Sequence, residues 1–541
     1  MDKSDCSFQQ LPFSNLFNNY IHRFEKVADF YRYNPFDSAD LKKRISELPE
    51  YNNRAEVISA LAAYHNHLGI AEQQQAALQK LADPQALVFV TGQQLGMYGG
   101  PLFTMYKTFT AIVLAKKWEK ELNKPVIPVF WLADEDHDFD EIASVGIPLA
   151  DHFESIRIEQ EGEGKPVSEE QLPASITEFS KRVFANLPET DFTDDLRYEL
   201  EAIYTPGSFH VQSFAKLMNR WFAKHGVLIV GSQTKAIKKL CVEQLVAAVE
   251  QAAAIEQALE SQSALLAKNF HAQVNVGHSN LFYLDENQRR IKIDIQENEW
   301  ISGEKTWTKS ALINHIKNHP EQFSPNVFLR PVLQDILLPT VGYVAGPGEL
   351  AYFGQMKSFY QQFGLHMPVI VPRLSLTLIE SGIERIMDKL PFQMCTYNQR
   401  IEDLEKAYID QSDSHDVDEV FNSWVKSVQE TSGSVLELIK DIDPTLEGSV
   451  GKVISGIENE ANKLKGRVFR SLKQQEGTQL NRIARIKAQL FPDGLQERSV
   501  SPVYFENKYG SGLWEAIISQ FEGDRLDLSK HHILPLHEFD S

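Results

Sequence analysis

The pattern of apolar and polar positions along the chain predicts an α/β protein. Continuous apolar runs occur at 87–90, 126–132, 226–231, 341–345 and 366–371, and segments with helical periodicity lie between them. Such runs are typical of parallel strands that are buried on both faces of a sheet. Because the strands alternate with helices, we expect a doubly wound, Rossmann-like core.

Changes in composition and periodicity divide the chain into segments with different predicted roles. Residues 273–300 contain two β-rich runs on either side of Glu286-Asn287-Gln288, which predicts a hairpin, and the tail HHILPLH predicts an edge strand. The segments are 1–82, a helical part of the core; 83–150, the first half of the Rossmann-like core; 151–205, an inserted connecting segment; 206–270, a core strand and helices; 271–335, a second insertion; 336–378, the second half of the core; 379–490, a coiled coil; and 491–541, a return to the core.

The segment 379–490 has the features of a long antiparallel α-helical coiled coil. The residues Val453, Ile457, Ala461, Leu464, Val468 and Leu472 form an apolar seam at steps of three and four. Residues 402–443, the acidic arm, carry 12 acidic and 3 basic side chains, whereas residues 449–490, the basic arm, carry 9 Lys or Arg and 3 Glu. Arms of opposite charge would attract in a hairpin, and an exposed seam of this length favours a homodimer.

Composition and charge argue against some classes of function. The formal net charge of −20 disfavours general nucleic-acid binding, which depends on a positive field. The chain contains no apolar run of 18 residues, so we expect no membrane span. Its first residues lack the basic and apolar regions of a signal peptide, so we expect a cytoplasmic protein.

A Gly-rich stretch, TGQQLGMYGGP at 91–101, follows the first apolar run and precedes a helical pattern at about 102–122. It matches neither the Walker A loop nor the dinucleotide fingerprint. Glycines such as Gly96 allow a close backbone approach, and Gln93 and Gln94 offer donors and acceptors. Lys107 adds a positive charge near the helix start. This loop therefore predicts anion or nucleotide binding, with a structural turn as the alternative.

The second apolar run ends in an acidic run, Asp134 to Glu141, that contains one histidine. Acidic runs are usually solvated, but this one follows a buried strand directly. His137 could act as an acid or base beside Glu135, Asp136 and Asp138. Alternatively, two or three of these carboxylates could bind magnesium.

Later strand ends offer further polar side chains. Ser232 and Gln233 follow the third run, where they could contact a ligand or form a turn. The loop GPGE places Gly348 and Glu349 at the start of a helix predicted over 350–363, where a carboxylate also suits a helix cap. Other polar residues occur in or beside the later apolar stretches: Arg330 and Asp335, which could form a buried ion pair, Tyr352 and Arg373.

Five stretches together resemble the BshC family, the cysteine ligases of bacillithiol biosynthesis. They occur in the same order as in the family and span nearly the whole chain. The stretches are TGQQLGMYGGPLFTMYK, PVFWLADEDHDFDE, LRPVLQDILLPTVGYVAGPGELAYFGQ, MPVIVPRLSLTLIE and LQERSVSPVYFENKYG. The resemblance implies a Rossmann-like core of the nucleotidyl-transferase type, inserted connecting segments, a coiled coil and a homodimer.

The resemblance also implies a reaction, the addition of L-cysteine to the amine of glucosaminyl-malate. Because carboxylates are poor acyl donors, ATP is expected as the activating substrate, with magnesium as a possible companion. Activation through an adenylate and through an acyl phosphate both remain open. On this interpretation the Gly-rich loop and Lys107 bind an anion, the run Glu135–Asp138 orients the amine or a metal, and Glu349 with Tyr352 receives cysteine. Arg330 would border the site, and we add Arg373 to the expected substrate contacts.

Two other functions remain open from the sequence. A metal-dependent hydrolase could use Asp136, His137 and Asp138, although it would leave the Gly-rich loop and Lys107 without a role. A non-catalytic scaffold could recruit a partner through the coiled coil and retain a vestigial nucleotide fold.

Overall fold

The computed structural model describes residues 5–232, 234–412 and 417–539. These residues belong to two compact units. The sheet unit extends to Pro148, continues over Phe153–Leu378 and resumes at Asp493. The coiled-coil unit comprises Leu149–His152 and Ile379–Pro492.

The strands of the described residues are short, and most belong to the sheet unit. They are β1 (Asp5–Cys6), β2 (Leu87–Gln93), β3 (Val126–Leu132), β4 (Ser144–Pro148), β5 (Phe153–Arg157), β6 (Leu228–Gly231), β7 (Leu281–Leu284), β8 (Arg290–Lys292), β9 (Asp294–Gln296), β10 (Glu299–Ser302), β11 (Lys305–Trp307), β12 (Phe323–Pro325), β13 (Thr340–Ala345), β14 (Val369–Pro372), β15 (Leu376–Ile379) and β16 (His531–Pro535).

Helices fill the rest of both units. Those before the coiled coil are α1 (Asn15–His22), α2 (Ser38–Ser46), α3 (Arg54–Leu68), α4 (Glu72–Leu81), α5 (Phe103–Leu122), α6 (Ile176–Ala185), α7 (Thr193–Ile203), α8 (His210–Phe222), α9 (Lys235–Leu240), α10 (Val242–Glu250), α11 (Ala252–Ala267), α12 (Lys309–Asn318), α13 (Leu329–Leu337), α14 (Pro347–Phe353) and α15 (Lys357–Gln362). The coiled-coil unit contains α16 (Ser381–Met387), α17 (Ile401–Ser412), α18 (Val417–Ile442), α19 (Glu447–Gln475) and α20 (Gly477–Leu490), and the chain ends with α21 (Gln496–Ser499), α22 (Pro502–Tyr509) and α23 (Gly512–Gln520). None of the described helices is long and apolar enough to cross a bilayer.

The central sheet has five parallel strands in the order β14-β13-β2-β3-β6. Numbered along the chain from β2, the order from β6 to β14 is 3-2-1-4-5, which is that of the Rossmann fold. Strands β2 and β3 are buried along almost their whole length, as their continuous apolar runs predict. The predicted Rossmann-like α/β core is confirmed. Its topological switch point lies between the carboxyl ends of β2 and β13.

Two predicted helices are interrupted in the structure. The pattern at 350–363 forms α14 and α15 rather than one helix. The Ala-, Gln- and Leu-rich stretch at about 235–268, whose composition predicts one long helix, forms α9, α10 and α11. The first interruption has a packing cause. Tyr31 donates a hydrogen bond from its hydroxyl to Leu350 O at 2.8 Å, and a Cβ on Gly354 would lie 2.9 Å from that hydroxyl. The α14–α15 junction therefore accommodates the tyrosine.

Smaller antiparallel sheets surround the core. The predicted hairpin is confirmed, since β7 pairs with β8 so that Phe282 lies opposite Lys292. A separate sheet has the order β1-β16-β15, so the tail strand β16 lies in the middle and not at an edge. The edge prediction was wrong because the distant strand β1 covers the open side of β16, and sequence periodicity does not reveal such a partner.

The coiled-coil unit pairs α18 with α19 in antiparallel fashion around a turn at Pro444–Leu446, as predicted. Its acidic and basic arms are joined by ion pairs. Asp418 of α18 pairs with Lys465 of α19, and Glu405 of α17 pairs with Lys473 of α19 at 2.5 Å. The opposite charges of the two arms therefore meet within one chain.

The predicted seam is only partly covered within the described residues. Ala461 is buried, but Val453, Ile457 and Leu464 are 62%, 37% and 46% exposed. Several large apolar side chains of the other helix are also exposed: Val420, Trp424, Val435, Leu438 and Ile442.

Candidate active site

A cavity of about 910 Å³ opens at the carboxyl edge of the central sheet. All five strands contribute to its lining. The contributing residues include Gly92 and Gln93 at the end of β2 and Gln94 after it; Ala133, Glu135 and Asp136 after β3; Ser232 after β6; Gly346, Gly348 and Glu349 after β13; and Arg373 after β14. The cavity includes the switch point, where open α/β sheets bind their ligands, and its size suits small molecules.

Lys107 is buried beneath this edge and connects two of its loops. Its ammonium donates to Gly92 O at 2.7 Å and Gln93 Oε1 at 2.9 Å, and it forms an ion pair with Glu349. These partners use all three donors of the ammonium. Burial lowers the pKa of Lys107, and Glu349 opposes this shift. An external anion would therefore have to displace Glu349 from Lys107.

Glu349 lies in the first turn of α14 and uses both carboxylate oxygens. Its Oε2 accepts from the backbone N–H of Gly346 at 2.7 Å and pairs with Lys107. Its Oε1 accepts from the Tyr343 hydroxyl at 2.7 Å. The cap weighed from sequence is thus present, and the same carboxylate also joins the β13 loop to the β2 loop.

Arg330 of α13 lines the cavity beside two tyrosines. Its Nη2 lies 3.4 Å from the Tyr343 hydroxyl and 3.5 Å from the Tyr352 hydroxyl. Asp335, considered from sequence as an ion-pair partner for Arg330, accepts from the Tyr360 hydroxyl at 2.9 Å. Burial raises the pKa of Asp335 to about 6. Gln334 lies between the two residues, since its Oε1 accepts from Arg330 Nη1 at 3.2 Å and its Nε2 donates to Asp335 Oδ1 at 3.0 Å. They therefore do not form an ion pair, and Arg330 Nη2 remains directed at the tyrosines of the cavity.

The inner half of the acidic run, Asp134 and Glu135, is buried. The Ser232 hydroxyl oxygen lies 2.6 Å from Asp134 Oδ1 and 2.9 Å from Glu135 Oε2. Lys238 of α9 forms an ion pair with Glu135 and donates to Phe323 O at 2.6 Å. Burial lowers the pKa of Lys238 to about 7. Glu135 is thus fixed in the cavity wall from behind by a buried lysine.

Sequence reasoning did not identify Lys238. It lies in the stretch KAIKKL, where nothing distinguishes it from Lys235 or Lys239. Gln233, which was considered together with Ser232, lies outside the described residues.

The outer half of the run turns towards solvent and the hairpin. Asp136 Oδ1 accepts from the backbone N–H of His137 at 2.8 Å and of Asp138 at 3.4 Å, and Oδ2 accepts from Gln94 Nε2 at 3.1 Å. Arg290 Nη1 lies 3.0 Å from His137 Nδ1. Among the described residues that line the cavity, Asp136 is present but His137 and Asp138 are not. The predicted cluster is therefore split between two environments.

The run does not form a metal site of its own. Across the described parts of the chain, no group of three or more His, Cys, Asp or Glu side chains is placed to hold a metal ion. Glu135 is directed at Lys238, whereas Asp136 is directed at Gln94. Magnesium is usually bound by one or two carboxylates together with substrate phosphates, which would be the fitting arrangement here.

Only part of the Gly-rich loop reaches the cavity. Gln93 and Gln94 line it, whereas a Cβ on Gly96 would lie 2.6 Å from Gly100 Cα, so Gly96 permits a tight turn. Gly96 is not among the described lining residues. Gly348 does line the cavity, and a Cβ there would meet nothing within 4 Å.

Cationic side chains dominate the remaining wall. Arg373 is buried and bound to Glu497 by two hydrogen bonds of 2.7 and 2.8 Å. Lys292, Arg330 and Arg498 also line the cavity, and no carboxylate of the described chain forms an ion pair with them. Although the whole chain carries a charge of −20, this wall favours an anionic ligand.

The hairpin cations were missed from the sequence, although a signal was available. Arg290 and Lys292 are two residues apart on β8, so the alternation of a strand places both on one face. Arg498 lies in LQERSV, a stretch whose residue pattern does not indicate a place in a cavity wall.

Comparisons with known proteins agree over nearly the whole chain. Residues 1–374 match the family model described as the N-terminal Rossmann-like domain of bacillithiol biosynthesis BshC, and residues 376–535 match its C-terminal coiled-coil domain. A curated relative from Chlorobaculum tepidum, named "Putative cysteine ligase BshC", is 32% identical over 94% of this chain and 95% of its own length. Relatives with the same name from Salinibacter ruber and Bacillus cytotoxicus are 32% and 27% identical, over 96% and 97% of this chain and 96% and 99% of their own lengths.

Proposed function

This chain belongs to the BshC family of bacillithiol biosynthesis, and from that premise we propose that it is an ATP-dependent cysteine ligase. The reaction joins the carboxyl group of L-cysteine to the amine of glucosaminyl-malate, as the last step of bacillithiol biosynthesis. The names of relatives that match over nearly their full length support this proposal.

The observation that carries the proposal is the cationic cavity at the switch point. Glucosaminyl-malate contributes two carboxylates, cysteine contributes one, and ATP is a polyanion. Lys292, Arg330 and Arg498 face the cavity without carboxylate partners in the described chain. They therefore provide counter-charges for anionic substrates in a space of suitable size.

The residues around the cavity support a division of labour. Amide formation requires an activated cysteine carboxyl group and an amine that loses a proton during attack. We propose that Glu135 and Asp136, two carboxylates of the run that line the cavity, orient this amine. Gln93 and Gln94 would contact ATP, and any magnesium ion would enter with the ATP phosphates.

The opposite wall would receive cysteine. Tyr352, Arg330 and Glu349 line this side, and the ion pair with Lys107 holds Glu349 in place. Arg373 would complete the wall through its bond to Glu497. His137 and Asp138 lie beside the lining, so in this proposal they act next to Asp136 and not as part of a metal site.

The test is a reconstituted reaction. The purified chain is incubated with ATP, L-cysteine and glucosaminyl-malate, and the thiol product is followed by mass spectrometry together with AMP and ADP. Product formation is expected, and the nucleotide product distinguishes an adenylate from an acyl phosphate. If Glu135→Gln and His137→Ala both ligate at the full rate, the site assignment is wrong.

The same assay separates the other two functions. Cleavage of a substrate that needs added metal but no ATP would identify a hydrolase. A chain that turns nothing over but binds another protein tightly would be a scaffold. In either case the ligase proposal would fail.

We also propose that the chain is a cytoplasmic homodimer. Val453, Ile457 and Leu464 leave apolar surface uncovered within the coiled-coil unit, and a second copy would bury it. Light scattering should give twice the chain mass, and Ile457→Lys should shift it towards the monomer. A wild-type monomer at micromolar concentration would contradict the proposal.

A further inference from the structure

The ring of His137 lies between the guanidinium of Arg290 and the carboxylate of Asp136, and it is closer to the guanidinium. Its Nδ1 is 3.0 Å from Arg290 Nη1 and 3.7 Å from Asp136 Oδ1. Only the first distance is that of a hydrogen bond. A guanidinium has donors and no acceptor, so His137 Nδ1 has to accept and carries no proton.

Arg290 is fixed firmly enough to impose this arrangement. Its Nε donates to Ser324 Oγ at 2.9 Å, its Nη2 donates to Pro325 O at 2.8 Å, and its guanidinium carbon lies 3.7 Å from the centre of the Phe282 ring. These contacts hold the planar fork in one orientation and leave Nη1 directed at His137. Asp136 Oδ1 is 4.0 Å from Nη1 and does not compete for that donor.

The charged groups around His137 agree with a neutral ring. Burial and Arg290 lower the pKa of His137, and Asp136 and Asp138 on its own loop oppose the shift. Arg290 belongs to the hairpin, whereas the two carboxylates belong to the loop of His137. The hairpin and the loop therefore shift the pKa of His137 in opposite directions. The geometry and the electrostatics both favour an imidazole without a proton on Nδ1.

We propose that Arg290 is a positioning residue that fixes His137 as the neutral tautomer protonated on Nε2. Arg290 and Asp136 both line the cavity, and His137 Nε2 has no hydrogen-bond partner in the described chain. His137 therefore offers an N–H at the edge of the cavity to an anionic substrate oxygen. This donor role rests on the proposed ligase function, whereas the tautomer does not.

The consequence for the chemistry is a change of role for His137. A neutral ring with its proton on Nε2 donates from that nitrogen and cannot accept a proton there. Its other nitrogen is occupied by Arg290. His137 would then stabilise negative charge on the substrate, and proton removal from the amine would fall to the carboxylates that line the cavity.

The tautomer can be observed directly in the full chain. Histidine labelled with ¹⁵N gives different two-bond correlations for the Nδ1–H and Nε2–H forms, and the His137 signals are those lost in His137→Gln. At neutral pH we expect the Nε2–H pattern. An Nδ1–H pattern, or the pattern of a doubly protonated ring, would overturn the proposal.

Substitution of Arg290 tests the cause of the tautomer. Arg290→Gln removes the guanidinium, and the ring should switch towards Nδ1–H, which can turn to donate to Asp136. The matched control is Arg289→Gln, because Arg289 is the preceding residue and pairs with Asp285, away from His137. A folded Arg290→Gln protein that keeps the wild-type pattern would refute the proposal. If Arg290→Gln does not fold, the comparison is made with Arg290→Lys, in which partial loss of the pattern is expected and full retention refutes the proposal.

The donor role is tested by activity. Glutamine can replace the N–H of His137 but cannot titrate, and phenylalanine keeps the ring without a donor. We expect kcat/KM of His137→Gln to exceed that of His137→Phe by about 10-fold, the size of one hydrogen bond to a charged group. Equal values for the two variants would exclude the donor role. Because the NMR measurement needs no turnover, an inactive chain with the expected tautomer would refute only the ligase function.

Discussion

Two halves of one acidic run lie in very different environments. Asp134 and Glu135 are buried with Ser232 and Lys238, whereas the side chains of Asp136 and His137 are 33% and 43% exposed. The inner half is fixed by a full ion pair, and the outer half by backbone N–H groups and the hairpin. The change from a buried to a partly exposed environment occurs between the neighbouring residues Glu135 and Asp136.

The difference shows that position relative to the sheet, and not composition, decides what a carboxylate can do. Glu135 has a buried counter-charge, so removing that charge leaves an uncompensated ion in a poor solvent. Asp136 can exchange its partners for water at small cost. The inner half should therefore govern stability and catalysis together, and the outer half should tune the edge of the cavity.

The largest expected effect is on stability, through the inner half. Lys238→Met removes the partner of Glu135 and should lower the free energy of unfolding by about 3–5 kcal/mol. Urea unfolding followed by circular dichroism measures this loss. The control, Lys239→Met, changes an exposed neighbour and should stay within about 0.5 kcal/mol. Equal unfolding curves for the two variants would show that the Lys238–Glu135 ion pair does not make the inner half more important for stability.

The next effect is on the rate of the proposed ligation. Glu135→Gln keeps the shape but removes the charge facing the cavity, and kcat/KM should fall by at least about 100-fold. Asp138→Asn, in the outer half and outside the lining, should stay within about 3-fold. Product formation measured at fixed ATP and cysteine gives both values. A larger loss of kcat/KM in Asp138→Asn than in Glu135→Gln would show that the outer half contributes more to catalysis than the inner half.

A smaller effect is expected where the β2 loop contacts the outer half. Gln94 donates to Asp136 at 3.1 Å and also to Glu141. Gln94→Leu should lower the free energy of unfolding by about 1 kcal/mol, because the carboxylates of Asp136 and Glu141 can then form hydrogen bonds with water instead. The same urea titration measures it. A cost as large as that of Lys238→Met would show that the outer half is as tightly fixed as the inner half.

The smallest effect is a pH dependence from His137. Its pKa in the folded chain is lowered below the ordinary 6.5, so between the two values the unfolded chain binds more protons. Stability should therefore fall slightly as the pH drops below about 6.5. The urea midpoint of the wild type should decrease more than that of His137→Gln between about pH 7.5 and pH 5.5. Parallel changes would mean that His137 titrates alike in both states.

Much of the fold followed from sequence because it depends on local patterns. The apolar runs identified all five strands of the parallel sheet, and the seam and charges of the two arms identified α18 and α19. Strand ends also indicated where a ligand would bind. These features are recorded in short stretches of chain, so periodicity alone reveals them.

The contacts within the site depend on distant partners and could not be predicted. Nothing in KAIKKL marks Lys238 as the counter-ion of Glu135, and nothing near Lys107 indicates that Glu349 would occupy its ammonium. The same limit applied to the tail strand, whose covering strand β1 lies at the other end of the chain. The site-residue roles remain predictions until the assays above are made.

The bond between Arg373 and Glu497 has a consequence for synthesis on the ribosome. The walls of the cavity span the chain from Pro12 to Arg498, and Glu497 is the buried anchor of Arg373. When β2, β3 and β13 have already emerged from the ribosome, the nascent chain still lacks Glu497. The site can therefore be completed only when translation is almost finished, and a premature stop codon shortly before Glu497 should yield a chain that retains its parallel strands but has no finished cavity.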